Sequence, residues 1–193
     1  MDPGASQTLL DAARSGSEEA KEALLARYAG RLLSLIRLRM GPSLRAHLES
    51  QDLLQATLLK SYTRLRDFRG EDPAALMAWL AAIARHEVAD QVDFQRRQRR
   101  DLARETGLGA EAEAVPAPVR SALSQAIWSE QASRLEAALE ALPEQHREVI
   151  VLRKLEELSF AEIGERLGRS EDACRMLFAR AMAALTLRLG EAR

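Results

Sequence analysis

Between Leu142 and Leu189 the helix-start and helix-stop signals come in an order that few folds satisfy. Pro143 suits a first helical turn, where the amide it lacks would be unbonded anyway. Val149, Ile150, Leu152 and Leu155 supply a buried stripe. Ser159 and Glu162 have the spacing of a capping box: the serine hydroxyl accepts from the Glu162 amide, and the glutamate reaches back. Phe160, Ile163 and Leu167 follow at helical spacing, and Gly168 suits the left-handed position that ends a helix. Ser170 can cap the next helix, with Glu171 and Asp172 favourably placed against its N-terminal dipole. Cys174, Phe178, Ala181 and Leu185 then repeat at four, three and four.

Two short helices joined by a tight turn containing glycine form the helix-turn-helix of major-groove readers. The second helix would be the reader, with Arg169, Glu171, Asp172, Arg175, Met176, Ala179 and Arg180 facing outward. An ordinary helical hairpin with solvated arginines meets the same apolar spacing. The ordered caps and the glycine turn favour the DNA-binding form.

Ala, Leu, Arg and Glu, all strong helix formers, dominate a chain of 193 residues, and β-branched residues are sparse. The fold class is therefore all-α, with enough length for one domain or two small ones. A lone cysteine, Cys174, precludes an internal disulfide and fits a reducing compartment. No apolar run reaches the roughly 18 residues that span a bilayer, and MDPGASQ lacks the basic and apolar parts of a secretory signal. A soluble, cytoplasmic protein is expected. The net charge of −1, from 28 basic and 29 acidic residues, speaks against a protein that holds duplex DNA unaided.

Taken in order, the chain opens with a short Leu9-Leu10 helix start. Ser15 and Glu18 have capping-box spacing ahead of a helix to about Met40, with Leu24, Tyr28, Leu32 and Leu35 as its stripe. Gly41-Pro42 breaks it. A second helix is predicted from about Gln51 to Phe68, exposing Asp52, Gln55, Lys60 and Arg64; solvation alone would account for those four. After a loop, Asp72 and Pro73 open a third helix to about Arg100, with Trp79 expected in its core.

This third helix ends in Arg96, Arg97, Arg99 and Arg100, a phosphate-seeking surface that the neutral total conceals. Cations complementing a helix C-terminus would explain one or two of these arginines better than four. From Asp101 to about Leu123 the periodicity dissolves among Gly107, Gly109, Pro116 and Pro118, which reads as a flexible linker. It resumes with Ile127, Leu135, Leu139 and Leu142. The division predicted is residues 1–102, a linker at 103–123, and residues 124–193.

Catalytic patterns are missing from the sequence. His47, His86 and His146 lack the close spacings of a zinc site, and no phosphate loop or nucleophile elbow occurs. No enzyme activity, metal or cofactor is expected.

These stretches together resemble the bacterial RNA polymerase sigma factors of the extracytoplasmic-function group, which keep only the second and fourth sigma domains. Asp52-Leu-Leu-Gln55 and its helix resemble the segment that docks on the polymerase clamp. Trp79-Leu-Ala-Ala-Ile-Ala-Arg85, Asp90 and the arginines resemble the helix that engages the −10 element. Leu142-Pro143, Arg147-Glu-Val-Ile150 and the helix-turn-helix resemble the −35-binding domain.

The resemblance implies a promoter-specificity subunit whose partners are core RNA polymerase and promoter DNA, with a regulator such as an anti-sigma factor masking it. It places Asp52, Leu53, Gln55 and Lys60 on the polymerase. Phe68 and Arg69, in the loop to Asp72 that receives a flipped base, would lie at the −10 element with Arg85, His86, Arg96, Arg97, Arg99 and Arg100. Arg169, Ser170, Glu171, Arg175, Met176, Ala179 and Arg180 would lie at the −35 element. The sequence departs from the family pattern at His86, where Asn is frequent, and at Ala173, Met176 and Leu177, where Thr, Ser and Arg are. Reading of the −35 element would then lean on methyl contacts and DNA shape. A stand-alone helix-turn-helix regulator and a helical protein-binding adaptor are the alternatives.

Overall fold

The computed structural model describes residues 3–106 and 130–191, and among these every regular element is a helix. Helix α1 spans Pro3–Arg14 and α2 spans Glu18–Arg39. The α2 cap is Ser17, which accepts from the Ala20 amide at 3.1 Å, and not Ser15. Ser15 is spent on α1, its hydroxyl donating to the Asp11 carbonyl at 3.0 Å, while Gly16 takes φ 97 to turn the corner.

Helices α3 (Pro42–Arg45) and α4 (Ser50–Arg64) follow. Instead of continuing to Phe68, α4 tightens into a 3₁₀ turn at Leu65–Asp67. Asp72 then accepts from the Ala75 amide at 2.7 Å and starts α5, Pro73–Thr106. This helix runs past Arg100 because Asp101 to Glu105 are Asp, Leu, Ala, Arg and Glu, with no Gly or Pro before Gly107. The predicted linker therefore loses its first four positions to α5; residues 107–123 lie outside the described residues.

The carboxy-terminal unit contains α6 (Glu130–Glu140), α7 (Glu144–Ile150), a π turn (Val151–Leu155), α8 (Phe160–Leu167) and α9 (Glu171–Glu191). Pro143 takes the N-cap position with extended ψ, one residue ahead of the turn predicted for it.

Each unit has its own core. Leu24, Tyr28, Leu32, Leu35 and Ile36 of α2 meet Leu53 and Leu54 of α4 and Leu76, Met77 and Leu80 of α5, with Trp79 half-buried against them. Val149, Ile150, Leu152, Ile163, Cys174, Leu177, Ala181 and Leu185 form the second core; Leu135 is exposed instead. Burying a side chain of Leu or Ile size contributes about 1.5–3 kcal/mol. Together these stripes outweigh the weak intrinsic stability of short helices.

The two units pack on each other through opposite charges. Arg37 meets Glu136 at 2.9 Å, Arg45 meets Glu140 at 2.6 Å, and Arg31 meets Glu157 at 2.5 Å. Arg39 bonds Glu148 at 2.6 Å and Glu156 at 2.9 Å. Arg85 and Arg166 close on the other oxygen of Glu156.

Candidate nucleic-acid interface

The helix-turn-helix is built as its caps require. The Ser159 amide donates to Glu162 at 2.7 Å and the Ser159 hydroxyl accepts from the Glu162 amide at 3.2 Å. The serine hydroxyl and amide bonds hold the Glu162 carboxyl below its ordinary value. Gly168 closes α8 at φ 64, ψ 39, and Ser170 accepts from the Ala173 amide at 3.2 Å. Gly164, which sequence reasoning missed, matters as much. A Cβ there would stand 2.6 Å from the Arg169 carbonyl oxygen, so only glycine lets α8 lie against the turn.

Helix α9 buries Cys174, Leu177, Ala181 and Leu185. Leu177 therefore belongs to the core and is not a reading position. Arg169, Ser170, Glu171, Arg175, Met176, Ala179 and Arg180 are all exposed on its amino-terminal half and the turn before it. Arg175 pairs with Glu171 and stands 5.2 Å over the Phe160 ring; Arg169 donates to Gln145 at 3.0 Å. The resulting surface is charged, rigidly backed and able to enter a groove.

Residues expected at the −10 element separate into three settings. His86, Arg96, Arg97 and Arg100 are exposed on α5; the Arg99 side chain lies outside the described part. His86 faces Asp90 at 3.5 Å and Arg96 faces Asp93 at 3.8 Å. Arg85, by contrast, is turned into the boundary with the carboxy-terminal unit and tied to Glu156. Burial there pulls its guanidinium below the ordinary value, against the pull of Glu156. Phe68 is buried at 7% exposure, its ring 5.5 Å from that of Trp79, while Arg69 is exposed. Phe68 thus anchors its loop and is not an open contact.

On α4, Asp52, Gln55 and Lys60 are exposed, Lys60 pairing with Glu87. Leu53 is 2% exposed and belongs to the core, so the surface contact expected of it is not available in this structure. Three exposed apolar residues escaped sequence reading: Leu59, four positions after Gln55, at 66% exposure, Phe94, beside the arginines of α5, and Leu187, late in α9. The only signal for them was an apolar residue off the buried stripe. No group of side chains fit to hold a metal ion occurs among the described residues, and no helix there is long and apolar enough to cross a membrane.

A helix-turn-helix unit packed on a helical unit whose long helix is rich in arginine presents surfaces suited to DNA. The sigma-70 region 2 family model matches residues 24–100, and the sigma-70 region 4 family model matches residues 132–185. The chain is 34% identical to RNA polymerase sigma factor CarQ of Myxococcus xanthus over 92% of this chain and 94% of that one. It is 32% identical to the ECF RNA polymerase sigma factor SigF of Caulobacter vibrioides, over 74% and 72% of the two chains. Among solved structures, CnrH in complex with the cytosolic domain of CnrY is 26% identical over 98% of this chain and 99% of that chain, with a TM-score of 0.51. The chain belongs to the extracytoplasmic-function group of RNA polymerase sigma factors. It directs core RNA polymerase to promoters, where transcription starts.

Proposed function

We propose the following division of labour. Residues 1–102 form sigma domain 2, which binds core polymerase and the −10 element, and residues 124–193 form sigma domain 4, which binds the −35 element. Asp52, Gln55 and Lys60 contact the polymerase clamp, with exposed Leu59 adding an apolar contact beside them. His86, Arg96, Arg97, Arg99 and Arg100 follow the −10 backbone, Arg69 stands at the loop that receives the flipped base, and Phe68 holds that loop. Arg169, Ser170, Arg175 and Arg180 contact the −35 major groove and its phosphates, while Met176 and Ala179 offer apolar contacts to thymine methyl groups. Glu171 positions Arg175.

The observation that carries this reading is the exposed surface of α9 and the turn before it, which holds Arg169, Arg175 and Arg180 beyond a left-handed glycine. Its strength without a basic excess follows from the partner: polymerase supplies much of the DNA affinity, and the sigma chain supplies choice. Initiation chemistry belongs to the polymerase. Extruding a base costs a few kcal/mol, which the domain 2 pocket offsets.

Arg85 has to leave Glu156 before it can reach DNA. Contact of Arg85 with the −10 element therefore involves separation of the two units. A protein partner that keeps them together, or that covers the same surfaces, would hold the chain silent, which is the role of an anti-sigma factor. CnrH, a similar fold, was solved with a protein domain bound. A chain that acts together with RNA polymerase would work in the cytoplasm.

Reconstitution with core RNA polymerase from a close relative of the source, followed by transcription from a promoter pool, tests the proposal. New start sites that share −35 and −10 elements are expected. Binding to polymerase without initiation, or no binding, would overturn it.

A further inference from the structure

We infer that Arg14, on the first helix, is a specificity-determining residue for the −10 element: it shapes the 68–72 loop to receive one unstacked nucleotide and offers its guanidinium to that nucleotide's phosphate. The inference rests on the reading of this loop as the base-receiving one. It adds a determinant from a segment that the family match, beginning at residue 24, does not reach.

A cavity of about 580 Å³ opens between the α1–α2 corner and the loop. Its size falls within the roughly 300–1,000 Å³ typical of small-ligand clefts. Arg14 and Lys21 line it from the first two helices, Arg66 and Arg69 line it from the other side, and the edge of the anchoring Phe68 lies in its wall. Glu71 is the one carboxylate among the lining residues. Lys21 is engaged by Glu18 at 2.5 Å and Arg66 faces Asp67 at 3.9 Å. Among the described residues, Arg14 and Arg69 have no ion-pair partner. A cleft with two guanidinium groups that no carboxylate neutralises suits the phosphate of a nucleotide.

The loop is held in shape by α1. Arg14 donates to the Gly70 carbonyl and stands 5.5 Å over the Phe68 ring. Gln7 donates to the next carbonyl, that of Glu71, at 3.1 Å. Gly70 is required because a Cβ there would come within 2.5 Å of the Phe68 ring and 2.7 Å of the Ala75 methyl. Phe68 is thus clamped between the Gly70 backbone, the Trp79 ring and the Arg14 guanidinium. The side of the cleft next to α1 moves if Arg14 is lost, and the shape that accepts one base over the others moves with it. Lysine cannot replace it fully, because an ammonium lacks the planar fork that spans a carbonyl and a ring face at once.

The test uses the holoenzyme on promoters carrying each of the four bases at each −10 position, with initiation measured for the wild type, Arg14→Ala and Arg14→Lys. The wild type is expected to prefer one base sharply at one position. Arg14→Ala should flatten that preference roughly tenfold at that position alone, leaving the other −10 positions and the −35 preference as they were. Arg14→Lys should keep more of the initiation yield than Arg14→Ala while losing the same preference. An unchanged base profile in Arg14→Ala, or an equal loss at every position, would overturn the inference and leave the initiation reading standing. A wild-type holoenzyme that starts nowhere would overturn both.

Discussion

Arg39 and Glu156 meet at 2.9 Å where the two helical units face each other, and Glu156 has no solvent exposure at all. The same carboxylate takes Arg166 at 3.0 Å and Arg85, and Arg39 forks onward to Glu148 at 2.6 Å. A buried charge with its partners in place gains little over a well-packed apolar substitute, but removing one member leaves the rest uncompensated. Glu156→Ala should therefore destabilise the chain by about 3 kcal/mol, at the low end for an orphaned buried pair because the arginines keep partial solvent access. Urea unfolding measures that loss. X-ray scattering should show a larger radius of gyration; an unchanged one would mean that the cluster does not hold the units together.

Glu136 makes the contact between α6 and α2 sensitive to pH. Burial raises its carboxyl from 4.5 to about 7, against the lowering pull of Arg37 at 2.9 Å and of Arg45, and Glu140 raises it further. One of its oxygens, Oε1, is buried without a hydrogen-bond partner. A raised carboxyl means that the folded state holds the proton more tightly. The stability it contributes is complete below the unfolded value and is lost as pH rises through about 7. Unfolding followed from pH 5 to 8 should show this slope in the wild type and lose it in Glu136→Gln. Equal slopes in the two proteins would contradict the assignment.

The two glycines of the helix-turn-helix should differ in cost. Gly168 has open space around a Cβ, so Gly168→Ala costs only the left-handed backbone, about 1–2 kcal/mol. Gly164→Ala would drive a methyl into the Arg169 carbonyl and should cost more, with the turn displaced. Thermal melts rank the two, and binding of −35 DNA by the holoenzyme should fall further for Gly164→Ala.

Arg180 and Arg175 stand on the same exposed face in different states. Arg175 is held by Glu171 and the Phe160 ring, whereas Arg180 has no ion-pair partner among the described residues. Arg180→Ala should weaken holoenzyme binding to −35 DNA and reduce the salt dependence by about one phosphate's worth. Arg175→Ala should lower both DNA binding and stability, because it also removes a contact within the fold. Titrations over a range of salt separate the two effects.

What the sequence made legible is chemistry that acts over three or four residues. Ser159 with Glu162, Gly168, Ser170 and Asp72 were readable because a cap and its partner lie within one turn, and the α9 surface followed from the buried stripe. The tie of Arg85 to Glu156 was not legible because its partner lies 71 residues away across the boundary between the units, and periodicity says only that a position is not apolar. Phe68 went inward because α4 tightened into a 3₁₀ turn, which shifts the ring relative to a continuing helix. Gly164 escaped notice because close approach of two backbones leaves no mark in composition.

The π turn at Val151–Leu155 assigns neighbouring side chains to different cores: Leu152 completes the carboxy-terminal core, and Val151 joins the amino-terminal one. One turn thus serves two cores at once, and heating should melt the free chain in a single cooperative step instead of two. Drawing the units apart uncovers a valine and a cluster of like charges together. Whatever opens the chain has to present a greasy spot and a counter-charge of its own, so the energy of opening is itself a filter on which partners succeed.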